Sequence, residues 1–378
     1  MMQNSSNLPS RFGSERRKKY FLTLLMIAVV SLAIIAVSIV FQISGGAYKT
    51  TSRDAFHALV SAEVWANPGF LFRLLLGETA CEQLSIPDGE PVSVSTMIVW
   101  SIRVPRTLVG LLVGVNLAFA GSIFQAITRN EMASPYLLGI NQGAGLSISL
   151  IIVLFPWLVP LIPVFAMLGG VGAFFVVYAI AWNHGASPVR LILAGVIVGA
   201  VASAVQTALR YMISDISVMQ NAMNWLSGSL IGSNWVQVRM ILPWSILTVV
   251  LSLSLTRPLD LLMLGDQTAT SLGLNVEKWR FLLAFVGIMA AASSVAVAGL
   301  VGFVGLIVPH VVRSLVGSPH RRMFVGCLFA GPALLVLADV ISRLALNPIQ
   351  LPVGTITGTV GGVFFLFMMR RKKEFGKL

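Results

Sequence analysis

The most constraining feature of this chain is a succession of apolar runs, each close to the roughly 20 residues that a helix needs to cross a bilayer. Nine such runs cover residues 20–43, 107–127, 135–155, 158–182, 189–212, 235–256, 281–298, 322–345 and 353–369. Charged residues make up only 11% of the chain, whereas about 25% is usual in a soluble domain. The chain is therefore predicted to be an all-α polytopic membrane protein without a separate soluble domain.

The run from Gly299 to Val316 is apolar but contains Pro309 and Arg313, so hydropathy alone does not decide whether it crosses the bilayer. Basic clusters at Arg16–Lys19 and Arg370–Lys373 indicate that both termini are cytoplasmic, because cytoplasmic loops are rich in Lys and Arg. Nine crossings would leave the termini on opposite sides, whereas ten return the chain to its starting side. We therefore predict about ten transmembrane helices, with 299–316 as a short crossing.

The same rule divides the chain into a basic cytoplasmic N-terminus at 1–19, a transmembrane domain at 20–369 and a basic cytoplasmic tail at 370–378. Within the membrane domain, residues 44–101 are expected outside and residues 257–280 inside. The net charge of +12 is concentrated in short clusters at the edges of apolar runs. That distribution is typical of a membrane protein and not of a nucleic-acid-binding surface.

Three arginines lie on the predicted outer side, against the usual orientation of positive charge: Arg103 and Arg106 in "SIRVPR" and Arg343 in "LADVISR". One interpretation is that they extend to lipid headgroups from helix ends. The other is that they form a positive rim for an acidic partner, since guanidinium groups make bidentate bonds to carboxylates. Spacing alone leaves both interpretations open.

Several long motifs between Ile102 and Gly362 indicate a family. The stretch "IRVPRTLVGLLVGVNLAFAGSIFQAITRNEMASPYLLGINQGAG", followed by "GLVGFVGLIVPHVVR", "SPHRR", "LADVISR" and "LPVGTITGTVGG", resembles FecCD-type permeases over Ile102 to Gly362. These are membrane subunits of ATP-driven (ABC) importers for iron–siderophore complexes, haem and cobalamin. The chain departs from the family pattern at Glu131–Met132, where Pro–Leu is usual, and in its longer outer loop.

The resemblance implies a type II ABC importer permease in the bacterial cytoplasmic (inner) membrane. It implies pairing with a second permease subunit, identical or different, and with two ABC ATPase subunits. A binding protein outside the membrane would dock through glutamates on Arg103, Arg106 and Arg343. A ferric siderophore is the expected substrate, and haem or cobalamin is the alternative.

The resemblance also assigns the cytoplasmic stretch Leu264 to Arg280 to ATPase coupling. The residues expected to act there are Leu264, Gly265, Asp266, Ala269, Leu272 and Gly273. Gly273 is expected to end the first of two short helices. Without the resemblance, an ordinary solvated loop would be the simpler interpretation.

The sequence lacks a Walker A motif, so the chain is not predicted to be an enzyme by itself. ATP and Mg²⁺ are expected on the partner ATPase subunits, and no cofactor is expected on this chain.

The segment "YMISDISVMQNAMNWLSGSLIGSNW" is the most informative about substrate. Met212, Met219, Met223 and Trp225 offer an adaptable surface for a large amphipathic ligand on the translocation pathway, although packing at the lipid interface would use the same residues. The pattern around Trp225 looks more like siderophore permeases than cobalamin permeases. No row of His or Cys is available to hold a bare metal ion, so no metal site is predicted and the ligand is expected to arrive chelated.

Two other classes of function compete with this interpretation. A proton-coupled secondary transporter needs an intramembrane acid, and Asp339 is the best candidate, but its spacing from Arg343 favours a local ion pair. An intramembrane hydrolase would have to combine the serines of "WLSGSL" with Asp266 or His310, which lie at the cytoplasmic side or at the end of a crossing.

Overall fold

A computed structural model describes residues 8–44, 52–85, 89–182, 187–213, 215–346 and 349–371. In this part of the chain the fold is built from ten apolar helices and several short ones. The apolar helices are α1 (Leu8–Ser44), α2 (Val104–Thr128), α3 (Ile140–Leu154), α4 (Ile162–Ala181), α5 (Pro188–Arg210), α6 (Trp235–Ser254), α7 (Val276–Ala298), α8 (Val304–Val316), α9 (His320–Leu344) and α10 (Val353–Arg371). The ends of the predicted cytoplasmic termini, 1–7 and 372–378, lie outside the described residues.

Seven of the described helices are long and apolar enough to cross a membrane, and α3, α8 and α10 are shorter apolar helices. Together they match the ten predicted helices, and the all-α polytopic class is confirmed. The crossing predicted at 299–316 corresponds to α8, which begins at Val304 rather than Gly299. Positive φ angles of 67° at Gly299 and 65° at Phe303 turn the chain there. With 13 residues, α8 is only about 20 Å long.

Helices α2 and α7 form the centre of the bundle, with 78% of the residues in each crossing buried. Helix α2 packs against α6, α7, α8 and α9. Glycines permit its closest approaches: a Cβ on Gly121 would lie 1.7 Å from the carbonyl oxygen of Gly305, and one on Gly114 would lie 2.6 Å from that of Gly331. Small residues at such contacts let helix backbones pack closely in a membrane.

Helix α1 lies at the edge of the bundle, where it packs mainly on α9. Only 17% of the residues in its crossing are buried. Most of its surface is apolar and exposed, as expected for a helix that faces lipid. Its C-terminal end is different, because Gln42 and Ile43 are buried there.

The outer segment predicted at 44–101 is folded rather than an open loop. It contains four short helices, Ser52–Val60, Ala62–Trp65, Pro68–Leu76 and Glu78–Gln83, before the chain enters a helical stretch at Val94. Asn67 caps Pro68–Leu76 by accepting from the Phe70 amide at 3.2 Å. Arg239 of α6 donates to the Leu74 carbonyl at 2.6 Å. These bonds fasten the segment to the bundle.

Candidate functional site

The predicted outer arginines belong to a buried network centred on Asp339 of α9. The Arg106 guanidinium makes a bidentate pair with the Asp339 carboxylate, with Nε–Oδ2 at 3.0 Å and Nη2–Oδ1 at 2.8 Å. Its Nη1 donates to Gln350 Oε1 at 2.9 Å. Asp339 is fully buried. This fixed geometry satisfies both charges away from water.

The network also holds the end of α1. Gln42 Nε2 donates to Asp339 Oδ2 at 3.0 Å, and Thr107 Oγ1 donates to Gln42 Oε1 at 2.6 Å. Arg343 donates to the Gln42 carbonyl at 3.2 Å, and Arg103 donates to the Ile43 carbonyl. Three helices, α1, α2 and α9, are thus joined at one point.

Two expectations about these residues need correction. Arg103 and Arg106 lie at the start of α2, which continues a helical stretch that begins at Val94 and passes through a π-helical turn at Val99–Arg103. Both side chains are buried rather than on an open rim, with relative exposures of 5% and 8%. The pairing of Asp339 with Arg343 was also wrong, since Asp339 pairs with Arg106 across the bundle. Arg343 is half-buried and the most accessible of the three.

The candidate pathway residues divide into two groups. Met219 and Met223 lie on the short helix Ile216–Ser227, and Met212 precedes it. Met212 and Met223 are 63% and 52% exposed. Trp225 is instead half-buried against the apolar cluster of α3, α4 and α7.

Trp225 also takes part in a junction of main chains. Its carbonyl accepts from the Leu300 amide at 3.1 Å, and the next residues continue the contact: Ser229 donates to the Ala298 carbonyl at 2.8 Å and Gly354 to the Gly228 carbonyl at 3.0 Å. A Cβ on Gly354 would lie 1.9 Å from the Ser227 carbonyl oxygen. The polar backbone of this non-helical region is therefore satisfied inside the protein, as a membrane requires.

Beside this junction is a small cavity of about 170 Å³ with polar side chains in its wall. Asn224, Ser229 and Gln237 contribute polar groups, and Trp225 contributes its ring. Sequence reasoning did not single out Asn224 or Gln237, because an amide on an apolar helix has no spacing signature.

The predicted coupling stretch contains two short helices, Thr256–Met263 and Asp266–Ser271. Gly265, with φ of 101°, separates them. Ala269 is fully buried, whereas Leu264 and Leu272 are each 59% exposed at either end of the second helix. The segment thus presents two apolar side chains to the cytoplasmic surface.

Gly273 ends the short helix around Ala269, as the sequence predicted for the first short helix of the Leu264–Arg280 stretch. Its amide donates to the Thr270 carbonyl at 2.9 Å, and the Leu274 amide donates to the Ala269 carbonyl at 3.0 Å. This is a Schellman motif, in which a glycine with positive φ closes the helix. The value of φ at Gly273 is 84°.

Acidic residues tie the cytoplasmic ends of the helices together. Asp266 pairs with Arg280 at the start of α7 at 2.7 Å, and with Arg129 at the end of α2 at 3.5 Å. Asp260 accepts from the His320 amide at 2.9 Å and contacts its ring Nδ1 at 2.7 Å. The short helices are therefore connected directly to α2, α7 and α9.

Glu131, the acid that departs from the family pattern, makes a similar link. Its carboxylate lies 3.4 Å from Arg313 Nη1 and 3.4 Å from His310 Nδ1, both on α8. Sequence reasoning noted the departure but did not predict its partners. The composition alone indicates that Glu131 would have a basic partner, because the chain has 26 Lys and Arg residues but only 14 Asp and Glu.

Within the described residues, no three His, Cys, Asp or Glu side chains come together as a group that could hold a metal ion. Cys81 and Cys327 are buried free thiols. His184 lies outside the described residues.

Ten apolar helices in the described part of the chain, a junction of irregular backbone enclosed by protein and a pair of short helices at one end of the bundle define a multi-pass membrane protein. The chain belongs to the FecCD transport family, whose model matches residues 34–371. The resemblance inferred from the sequence motifs is confirmed, and with it the class of ABC transporter permease components.

Relatives that are named for different substrates have similar sequence identity to this chain. The iron(3+)-hydroxamate import permease FhuG of Bacillus subtilis is 36% identical over 76% of this chain and 88% of its own length. The Fe(3+) dicitrate permease FecD of Escherichia coli is 38% identical over 73% and 86%, and the vitamin B12 permease BtuC of Klebsiella pneumoniae is 37% identical over 81% and 92%. A solved inward-facing metal-chelate type ABC transporter matches with a TM-score of 0.75 and 25% identity, over 92% of this chain and 99% of that one.

Proposed function

We propose that this chain is the permease subunit of an importer for a ferric siderophore in the bacterial cytoplasmic membrane. The observation that carries the proposal is the similarity to iron-chelate permeases over about three quarters of the chain. Haem and cobalamin remain the alternative substrates, because a hemin permease and a vitamin B12 permease are both 37% identical to this chain. The substrate would cross between this subunit and a second permease, beside Met212, Met219, Met223 and Trp225.

ATP would be bound with Mg²⁺ and hydrolysed by two separate ATPase subunits that contact the segment from Leu264 to Gly273. Exposed Leu264 and Leu272 suit an apolar contact with such a partner. Asp266 would transmit movement of the ATPase subunits to α7 and α2, because it forms ion pairs with Arg280 of α7 and Arg129 at the end of α2. The predicted residues Gly265, Ala269 and Gly273 would set the shape of the segment rather than touch the partner.

The three outer arginines would have two different roles in docking a binding protein. Arg106 already faces a carboxylate, so it would mainly hold the network together. Arg103 and Arg343 donate to main-chain carbonyls of α1, and a glutamate from a partner is a stronger acceptor than a neutral carbonyl. We therefore assign docking chiefly to Arg343 and Arg103.

The docking assignment is tested with Arg343→Glu and Arg103→Glu, each compared with the wild-type complex for association with the binding protein. Both changes should weaken association and make it less sensitive to salt. Gln350→Ala is the matched control, because it removes an outer polar contact of Arg106 without changing charge. Unchanged association of both charge reversals at low salt would contradict the assignment.

The function itself is tested by reconstituting the chain with its ATPase and binding protein in proteoliposomes. ATP-dependent uptake of a ferric siderophore should exceed uptake of haem and cobalamin. Preference for haem or cobalamin would change the substrate, and uptake that continues without ATP but stops when a proton gradient is dissipated would identify a secondary transporter.

A further inference from the structure

A basic groove lies between the N-terminal part of α1 and the start of α9. Its volume is about 680 Å³, and Lys18, Arg321 and Arg322 form one part of its wall. Lysine and arginines far apart in sequence are brought together because α1 packs along α9. By the charge rule this end of the bundle is cytoplasmic.

The rest of the wall is apolar. Phe21, Leu24 and Val325 line it, and Phe21 is 67% exposed. The guanidinium carbon of Arg322 lies 4.1 Å from the ring centroid of Tyr20, a cation–π contact that fixes the guanidinium at the boundary between the two parts. The groove is thus cationic at one end and apolar along α1.

These cations have no carboxylate partner within the described residues: none of the salt bridges there includes Lys18, Lys19, Arg321 or Arg322. Asp260, the acid that meets this turn, is bonded to His320. Three positive charges in the wall of one groove, Lys18, Arg321 and Arg322, favour an anion. A basic pocket between helices at the cytoplasmic surface is suited to a phospholipid headgroup.

We propose that this groove binds an anionic phospholipid of the cytoplasmic leaflet. Arg321, Arg322 and Lys18 hold the phosphodiester, since guanidinium groups bond phosphate oxygens in pairs. One acyl chain lies along Phe21 and Leu24. A lipid is favoured over free phosphate because the groove continues into the exposed apolar surface of α1, where Leu22 and Met26 are 61% and 54% exposed.

The site is independent of the transported substrate. It lies on α1 and α9, and its wall includes no residue of Asp266–Ser271 or of the helix Ile216–Ser227. Its ligand would steady the contact of α1 with α9, which includes the Gln42–Asp339 hydrogen bond at the opposite end of α9.

The test is native mass spectrometry of the full permease–ATPase complex titrated with phosphatidylglycerol, phosphatidylcholine or inorganic phosphate. Wild type should retain phosphatidylglycerol in preference to phosphatidylcholine. Arg321→Gln with Arg322→Gln should weaken phosphatidylglycerol binding about 30-fold, from the usual contribution of each basic residue near an anionic surface. Arg321→Lys with Arg322→Lys keeps the charge and should retain most of the affinity.

Arg190→Gln with Arg370→Gln is the matched control, because both are exposed basic residues at the same side of the bundle but outside the groove. The control should bind phosphatidylglycerol as wild type does. Equal weakening in both double variants would contradict a defined site, and displacement of the lipid by equimolar inorganic phosphate would contradict a lipid ligand. If the Gln pair fails to assemble, Lys18→Gln with Lys19→Gln tests the same groove from α1, and wild-type affinity in that variant overturns the proposal.

Discussion

The outer network around Asp339 and the cytoplasmic ion pairs around Asp266 use the same chemistry in different surroundings. The side chains of Arg106 and Asp339 are 9% and 1% exposed, whereas Asp266 and Glu131 are 40% and 45% exposed. A buried pair cannot lose one partner without leaving a bare charge in a dry interior. In the cytoplasmic pairs the acid is half-exposed, so water can replace its lost partner, whereas Arg280 and Arg313 are themselves only 4% and 8% exposed.

The difference suits the two ends of the proposed importer. The outer network keeps the ends of α1, α2 and α9 in one arrangement while a binding protein docks and leaves. The cytoplasmic pairs connect the short helices to α2, α7 and α9, and Glu131 connects the end of α2 to α8. In each pair the acid is exposed enough to exchange its partner for water. Movement imposed by an ATPase would then rearrange the cytoplasmic end first.

The largest effect is expected from Asp339→Ala. It leaves Arg106 buried and unpaired, so the free energy of unfolding should fall by about 3–5 kcal/mol. The measurement is unfolding in mixed micelles, followed by loss of helical signal. Replacing both partners, as in Arg106→Met with Asp339→Leu, should recover most of the loss. If the double variant loses as much stability as Asp339→Ala, the unpaired charge of Arg106 is not the cause of the loss.

A smaller effect on stability but a clear effect on activity is expected from Asp266→Ala. Because the carboxylate is 40% exposed but the Arg280 side chain is only 4% exposed, the free energy of unfolding should fall by about 1–3 kcal/mol, less than for Asp339→Ala. ATP hydrolysis stimulated by loaded binding protein should fall, since α2 and α7 lose their link to the coupling segment. Gln267→Ala, at an exposed neighbouring position, is the control and should behave as wild type.

Salt should separate the two regions further. Raising ionic strength shortens the screening length from about 10 Å at 0.1 M to about 3 Å at 1 M. Coupling that depends on Asp266 should weaken with salt, and Asp266→Ala should remove part of that dependence. The thermal stability contributed by Asp339 should hardly change. We therefore expect the thermal stability of Asp339→Ala to depend on salt as much as that of the wild type does. A difference between the two salt dependences would contradict the conclusion that burial shields the Arg106–Asp339 pair from ions.

The smallest effect is expected from Glu131→Gln. This change keeps the shape but removes the charge beside His310 and Arg313, and stability should change by about 0.5 kcal/mol or less. Uptake should be reduced less than in Asp266→Ala, because α8 keeps its packing on α2 and α9. A loss of stability comparable to Asp339→Ala would mean that Arg313, which is buried, depends on Glu131 as its sole counter-charge.

The crossings were predictable because apolar length is a local property of the sequence. Most predicted runs agree with the helices to within a few residues. The crossing that became α8 was predicted because basic clusters at both termini require an even number of crossings. Its start was missed because φ at Phe303 is positive, which a bulky side chain rarely adopts. The helices within 44–101 were missed because that stretch lacks long apolar runs.

The partners of charged residues could not be predicted in the same way. The spacing of Asp339 and Arg343 suggested a local pair, but burial placed Asp339 against Arg106, which is 233 positions away. A single sequence contains no information about which distant helices meet. The coupling segment was predicted more closely, because Gly273 was recognised as the end of the short helix around Ala269.

Orientation in the membrane is tested most directly by labelling single cysteines with a membrane-impermeant maleimide, in a chain whose buried Cys81 and Cys327 are replaced by alanine. Tyr211→Cys and Leu272→Cys are suitable probes, with native side chains 89% and 59% exposed. Tyr211→Cys should react in right-side-out vesicles and Leu272→Cys only in inverted ones. Reaction of both from the same side would contradict a bundle whose outer arginines meet a binding protein and whose short helices meet an ATPase.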